Sequence, residues 1–131
     1  MSKYLTFTDV VFTNKALLLA ALADLGYSDV EQGEGLHLYG YRGDVRAERA
    51  EIVVRRRSIG SSSNDLGFAR SGEGYTPIIS EYDQRTLHDG KFVASLRAAY
   101  NERVVKEMQQ RLRGSLRRET QGSVVKLKIR Y

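Results

Sequence analysis

The stretch NDLGFARSGEGYT, residues 64–76, decides how the middle of this chain folds. Its glycines Gly67 and Gly72 have the spacing of a phosphate-binding loop. Such a loop also needs a lysine after the second glycine and a helix behind it. Here Glu73 occupies the lysine position, and the segment YTPIIS that follows favours a strand. We therefore interpret SGEG, residues 71–74, as the turn of a β-hairpin in which glycine adopts a positive φ, and not as a nucleotide site.

The single proline of the chain falls in the second strand of this hairpin. Pro77 has no N–H group to donate to a neighbouring strand. The sequence therefore predicts that this strand lies at an edge of its sheet.

Local patterns divide the rest of the chain into helices and strands. The segment TNKALLLAALADLGY repeats leucine at helical spacing between a capping Thr13 or Asn14 and Gly26, which predicts a short amphipathic helix. EQGEG, residues 31–35, predicts a turn, and SIGSSSN, residues 58–64, predicts a flexible loop. The other predicted elements are strands at residues 4–12, 36–41, 50–57 and 123–131, and a long helix over residues 89–113 that ends at Gly114.

These elements predict an α+β fold, with a mainly antiparallel sheet and two helices packed on one face. That arrangement buries the apolar stripes of both helices, and a ferredoxin-like variant with an added hairpin is one form of it. The helices are expected to cover the side of the sheet that carries Ala50, Ile52 and Val54. A chain of 131 residues is long enough for one core, so we predict a single domain, residues 1–131.

Composition excludes several classes of protein. With 41% hydrophobic and 28% charged residues, the chain is typical of a soluble globular domain. The longest apolar run, residues 16–23, is shorter than the roughly 20 residues that span a bilayer, and the polar start lacks the order of a signal peptide. We therefore predict a cytosolic protein without a membrane partner. The absence of cysteine excludes disulfides, thiol nucleophiles and thiolate metal sites.

The net charge of +5 is concentrated at one end of the chain. Residues 101–131 hold nine Lys or Arg and three Asp or Glu, whereas residues 1–100 hold twelve and thirteen. This asymmetry is consistent with an acidic partner, and equally with a solvated basic surface. The long helix has a broad charged side, which is either solvated or a docking surface for another protein.

Basic and aromatic residues are predicted to share the open face of the sheet. If Leu36 and Leu38 point towards the helices, the opposite face presents tyrosines together with cationic side chains. Such a surface suits single-stranded nucleic acid, because cations neutralise phosphates and rings stack on bases. The alternative is a merely polar sheet face, since the chain has no aromatic motif of the RNA-recognition type. The candidate nucleic-acid-binding residues are Tyr39, Tyr41, Arg55, Arg57, Lys126, Lys128 and Arg130, with His37 beside them.

Catalytic patterns are weak. His37 and His88 have no partners at metal-ligand spacing. Glu81 and Asp83 follow a predicted strand, where acids usually belong to a turn or a helix cap. An enzyme built on Glu81, Asp83 and His88 would need these groups to meet in one pocket. We expect no enzyme, no cofactor and no metal site.

Several blocks together resemble the small uncharacterised proteins of cyanobacteria, other bacteria and algal plastids known as hypothetical chloroplast open reading frame thirty-five. The blocks run in the family's order over nearly the whole chain. The sequence departs from the family pattern in having no tryptophan near Glu81-Tyr82-Asp83 and a longer serine-rich loop at residues 61–63. The resembling blocks are MSKYLTF, ALADLGY, GYRGD, AEIVV, NDLGFARSGEGYTPIISEYD and QGSVVKLKIRY.

The resemblance implies no established activity, cofactor or catalytic residue. It does imply an accessory or adaptor role, because members are encoded beside AAA-type ATPases. The first hypothesis is therefore a non-catalytic accessory protein that acts through contacts with another protein, an AAA-type ATPase. The alternative hypothesis is a protein that binds single-stranded RNA through the basic, tyrosine-containing sheet face.

Overall fold

The computed structural model of the chain describes residues 3–119, with side chains as far as residue 114. Five strands form one open sheet in the order β1-β5-β4-β3-β2, and every pair of neighbours is antiparallel. Short 3-10 turns occupy Arg56–Ser58 and Leu87–Gly90. The elements are β1 (Tyr4–Thr6), α1 (Lys15–Asp24), β2 (Glu31–Tyr39), β3 (Val45–Val54), β4 (Leu66–Ser71), β5 (Gly74–Ser80), α2 (Glu81–Thr86) and α3 (Phe92–Glu119).

The predicted α+β class, with a mainly antiparallel sheet, is confirmed over the described residues. Strands β2 to β5 follow one another as a meander, and β1 joins at the free side of β5. A ferredoxin-like sheet is also antiparallel, because other strands lie between the two strands that a helix connects, as β5, β4 and β3 lie between β1 and β2 here. Helix α1 connects β1 to β2, so it links the two opposite edges of the sheet.

The glycine-rich stretch forms the β4–β5 hairpin, as predicted. Ser71 pairs with Gly74, which leaves Gly72 and Glu73 as the two turn residues. Gly72 has φ +61°, and Glu73 is not among the residues with positive φ. A positive φ at the first central residue alone is the pattern of a type II′ turn, which favours glycine at that position.

Helices α1 and α3 pack on one face of the sheet and enclose the main core. Asn14 caps α1, because its side-chain oxygen accepts a hydrogen bond of 3.1 Å from the backbone N–H of Leu17. Gly26 follows α1 with φ +99°, as the sequence predicted. The core residues from the helices are Leu18, Ala21, Leu22, Phe92, Leu96 and Ala99, and those from the sheet and its connections are Phe12, Tyr27, Ile52, Val54, Leu66, Phe68, Tyr75 and Ile79.

The opposite face of the sheet is apolar as well, which corrects the predicted basic face. Leu38 is buried there and Leu36 packs beside it, so both leucines point away from the helices. Ala50 belongs to this second cluster and not with Ile52 and Val54, and β2 and β3 shift register between the pairs Gln32–Ile52 and Leu36–Ala50. The buried members of the second cluster are Tyr4, Leu38, Ala50, Val53 and Ile78.

Strand β5 lies inside the sheet, so the prediction of an edge position from Pro77 was wrong. The carbonyl oxygen of Pro77 accepts a hydrogen bond of 3.0 Å from the N–H of Phe7, just beyond the end of β1. In an antiparallel pair, the carbonyl of Phe7 would accept the N–H of residue 77 in return. It accepts the N–H of Val10 instead, at 3.1 Å. The strand therefore tolerates proline because β1 ends at this point.

The acids of EYDQR lie at the start of a helix, one of the two predicted places, whereas the long helix α3 runs further than predicted. EYDQR is part of a short helix, α2, whose N-cap is Ser80. Helix α3 continues through Gly114, where the sequence predicted its end. The predicted strand at residues 123–131 lies outside the described residues. Over residues 3–119, no helix combines the length and the apolar character needed to cross a membrane.

Candidate functional site at the hairpin tip

The turn between β2 and β3 presents an unusual group of exposed large side chains. We call residues 39–45 the hairpin tip. Tyr39 is 39% exposed, Tyr41 36% and Val45 59%, and Tyr39 pairs directly with Val45 across the hairpin. Arg42 adds a cation, with its guanidinium carbon 5.3 Å from the centre of the Tyr41 ring and its Nε donating to the Tyr41 hydroxyl at 2.9 Å. The tip therefore combines two aromatic rings, an aliphatic side chain and an arginine.

Two buried polar residues outside the hairpin hold this tip. The Asp65 carboxylate accepts the backbone N–H of Tyr39 at 2.8 Å, and the N–H of Asp65 returns a bond to the Tyr39 carbonyl at 2.9 Å. The side-chain oxygen of Asn64 accepts the N–H of Tyr41 at 2.9 Å. Asn64 and Asp65 are each 1% exposed. Buried hydrogen bonds of this kind fix the backbone of the tip against the start of β4.

The tip also makes close contacts within itself. The N–H of Gly40 donates to the carbonyl of Asp44 at 2.8 Å, and the N–H of Gly43 donates to the carbonyl of Gly40 at 2.9 Å. A Cβ atom on Gly40 would lie 2.5 Å from a carboxylate oxygen of Asp44. A larger residue at position 40 would therefore require the Asp44 side chain to move, so the tip is a compact turn.

Arg55 faces inward and stabilises the same region. Its guanidinium donates to Glu31 at 2.6 Å, to Asp65 at 2.7 Å and to the carbonyl of His37 at 2.8 Å, and it lies 5.4 Å from the centre of the Tyr39 ring. These carboxylates, Glu31 first, raise the pKa of Arg55 despite its partial burial, and the bond from Arg55 lowers the pKa of Glu31. Arg55 is thus a structural cation that joins β2, β3 and the segment before β4.

A second set of polar contacts connects the tip to α2. Asn64 donates from its backbone N–H to Asp83 at 3.0 Å and from its side-chain amide to Ser80 at 2.8 Å, and the Ser80 hydroxyl donates to Asp83 at 2.9 Å. On the other side, the Tyr4 hydroxyl donates to the carbonyl of Asp65 at 2.7 Å. Burial, and then the charge of Asp65, raises the pKa of Tyr4. The tip is therefore anchored to β1, β5 and α2.

The structure brings together part of the predicted nucleic-acid site. Tyr39, Tyr41 and Arg55 lie in one region, but Arg55 already has two carboxylate partners. Arg57 follows β3 in the 3-10 turn instead of continuing the strand, and it pairs with Asp29 at 3.4 Å on an exposed surface. Lys126, Lys128 and Arg130 lie outside the described residues.

Asp83 and His88, two of the three residues of the suggested catalytic group, both lie near Tyr27, whose pKa is raised by burial and then by the charge of Asp83. His88 has a positive φ of 50°, and its Nε2 lies 3.2 Å from the hydroxyl of Tyr27. Asp83 is buried, with one oxygen bonded by Asn64 and Ser80 and the other without a partner in the described part of the chain. Residues 3–114 contain no cluster of three or more acidic or histidine side chains that could hold a metal ion.

Sequence reasoning missed Asn64 and Asp65 as site residues. They end a serine-rich stretch, SSSND, that is typical of an exposed loop. The only local signal for burial is their position directly before the apolar strand LGF. Their donors come from Tyr39 and Tyr41, more than twenty residues earlier in the chain.

The fold and site together define a small α+β domain with an open antiparallel sheet and a rigidly held aromatic hairpin tip. The chain belongs to the family described as protein of unknown function (DUF1257), whose model matches residues 21–126. That match includes the last turn of α1, all of β2 to β5 and the hairpin tip. It confirms the part of the resemblance that assigned the chain to a family of unknown function. Comparison with curated proteins and with solved structures found no match.

Proposed function

We propose that this protein is a non-catalytic, cytosolic accessory protein of the hypothetical chloroplast open reading frame thirty-five type. It acts by binding another protein through the hairpin tip. The proposal rests on one observation. The side chains of Tyr39, Tyr41 and Val45 are exposed, while hydrogen bonds from the backbone to buried Asn64 and Asp65 hold this turn in place. Large apolar side chains that are exposed to water are energetically unfavourable, and a binding partner that covers them removes this contact with water.

The chemistry of the tip matches the residues that dominate protein interfaces. Tyrosine and arginine are enriched among the residues that contribute most to binding, since each offers a large contact area together with hydrogen-bonding groups. A surface that is ordered before binding also loses less conformational entropy in the complex. Tyr41 and Arg42 stack on each other at the tip, so both are ordered in the free protein.

The partner class implied by the family resemblance is an AAA-type ATPase. The proposal is tested by affinity capture from the native host with the wild-type chain and with a Tyr39→Ser, Tyr41→Ser double variant, followed by quantitative mass spectrometry. The matched control is Leu5→Ser, since Leu5 is 37% exposed, close to the exposure of Tyr41, and lies in β1 at the other edge of the sheet.

We expect an ATPase that is captured by the wild type and the control and lost with the tip variant. With the purified partner, the tip variant should bind at least about tenfold more weakly, as truncation of central interface tyrosines usually does. Equal capture by all three chains would place the interface elsewhere. Absence of any reproducible protein partner would contradict the accessory role.

The alternative proposal, binding of single-stranded RNA, is favoured by two neighbouring arginine–tyrosine pairs. The guanidinium of Arg42 lies 5.3 Å from the centre of the Tyr41 ring, and that of Arg55 lies 5.4 Å from the centre of the Tyr39 ring. Planar guanidinium groups and aromatic rings stack on unpaired bases. The ion pairs of Arg55 weaken this proposal, because Glu31 and Asp65 already neutralise its charge.

RNA binding predicts a steep loss of affinity with salt, since each neutralised phosphate releases counterions. Fluorescence anisotropy with a labelled single-stranded oligonucleotide at several salt concentrations measures this slope. The paired change Lys126→Glu and Lys128→Glu should weaken binding to every sequence alike. Affinity that does not respond to salt, or no binding at low salt, would contradict RNA binding.

A further inference from the structure

A second surface feature lies away from the hairpin tip, where α1 begins beside β2. It is a pocket of about 240 Å³, which we call the α1–β2 pocket. Pockets for drug-sized ligands usually measure roughly 300–1,000 Å³, so this one suits a smaller molecule. The described residues that line it are Lys15, Gly33, Glu34, Glu51, Arg70 and Tyr75.

The pocket is shaped by an irregularity in β2. Between the pairs Gln32–Ile52 and Leu36–Ala50, β2 uses more residues than β3, and Gly35 adopts φ +57°. The Glu51 carboxylate holds this bulge, because it accepts the N–H of Gly35 at 3.2 Å and the N–H of Arg70, in β4, at 2.6 Å. Bulges re-aim side chains and occur frequently beside binding sites. Here the bulge places Glu34 at the pocket wall.

The polar groups around the pocket have unused binding capacity. The side chains of Lys15, Arg70 and Glu34 form no ion pair or hydrogen bond with any residue between 3 and 114. Tyr75 is 6% exposed, and its hydroxyl also has no partner in that part of the chain. Solvent reaches the Tyr75 hydroxyl, and Tyr75 is one of the residues that line the α1–β2 pocket.

We propose that the α1–β2 pocket binds a small zwitterion that has an ammonium and a carboxylate group, such as a free α-amino acid. Lys15 and Arg70 with the Tyr75 hydroxyl donate to the carboxylate, and Glu34 accepts from the ammonium. Two cations and two carboxylates line the pocket, so its charges balance. A simple anion such as phosphate would be repelled by Glu34 and Glu51, and a simple cation by Lys15 and Arg70. A zwitterion is the small ligand that satisfies both sides at once.

The proposal is tested by titrating the 15N-labelled full chain with three probes at constant ionic strength. Glycine has both charges, acetate only the negative one and methylammonium only the positive one. Each probe is raised to about 50 mM, which lies well above a Kd in the low millimolar range. With glycine, the backbone amide signals of Gly33, Gly35 and Arg70 should shift and saturate. Acetate and methylammonium should shift them little.

Variants locate the site and separate it from weak ionic binding. Lys15→Gln and Glu34→Gln each remove one charge at the pocket, and each should weaken glycine binding about tenfold. Lys106→Gln removes an exposed charge of α3 and should leave the affinity unchanged. Equal shifts with acetate, no saturation with glycine, or unchanged binding in both pocket variants would each overturn the proposal. The result is independent of the hairpin tip, since neither tyrosine of the tip lines the pocket.

Discussion

Asp65 is the residue whose replacement should most directly loosen the hairpin tip. Its carboxylate is 1% exposed and accepts three hydrogen bonds of 2.7 to 2.8 Å, from the N–H groups of Tyr39 and Arg56 and from the Arg55 guanidinium. Asp65→Ala leaves all three donors without this acceptor. A buried donor left without a partner costs about 1–3 kcal/mol, and losing one partner of a buried ion pair costs about 3–5 kcal/mol.

The individual costs do not add in full. Arg55 keeps Glu31 and the carbonyl of His37, and water can enter the space left by the carboxylate. We therefore expect Asp65→Ala to lower the free energy of unfolding by about 4 kcal/mol, a large part of the 5–15 kcal/mol typical of a domain. Asp65→Asn keeps one acceptor oxygen and should cost about 2 kcal/mol.

Urea unfolding followed by circular dichroism measures these differences. The matched control is Asp29→Asn, because Asp29 also pairs with an arginine but lies exposed at 3.4 Å from Arg57, and such pairs contribute less than about 1 kcal/mol. Hydrogen exchange of the Tyr39 amide should accelerate in Asp65→Asn and not in the control. If Asp65→Ala and Asp29→Asn have equal stability, Asp65 does not hold the tip.

Two further predictions concern single groups. The pKa of Tyr4 is raised in the folded state, first by burial, so its stabilising contribution is complete below the unfolded value of about 10 and is lost as the pH rises above it. Between pH 8 and 11, the free energy of unfolding measured in urea should therefore fall less for Tyr4→Phe than for the wild type. Equal falls in both proteins would contradict this prediction. Gly72→Ala should lower the free energy of unfolding by about 1 kcal/mol, because alanine is unfavourable at φ +61°. Glu73→Ala is the control and should be nearly neutral. An equal effect of both substitutions would contradict the requirement for glycine at position 72.

Elements with a complete local signal were predictable from the sequence. The β4–β5 hairpin combines glycine at the turn with β-favouring segments on both sides, and its turn at Gly72 formed as expected. Helix α1 has its cap at Asn14 and its terminating Gly26 in one continuous segment. In both elements, the residues that determine the local structure lie within a few positions of one another, so tertiary contacts did not override the local prediction.

Elements that depend on distant partners were not predictable. EQGEG resembles a turn, yet it belongs to β2, because glycine-rich bulges and turns need the same backbone freedom. Whether the segment pairs as a strand depends on Glu51, whose carboxylate accepts the N–H of Gly35. In the same way, Asp65 is tolerated in the interior only because Arg55 and the N–H of Tyr39 reach it.

These buried and bridging carboxylates explain how so polar a hairpin keeps one conformation. A strand that is rich in glycine and acids has little apolar alternation, so its register is weakly specified and slippage by one residue is easy. Strand β2 contributes only Leu38 and, in part, Leu36 to the second apolar cluster. Glu51 and Asp65 supply the missing specificity in the middle and at the end of β2, because each accepts a backbone N–H that only one register provides. The exposed side chains of β2 and its turn are consequently available for binding, since packing in the core does not determine them. For this reason, both proposed binding surfaces include residues of this hairpin, since the tip lies within it and Gly33, Glu34 and Glu51 line the α1–β2 pocket.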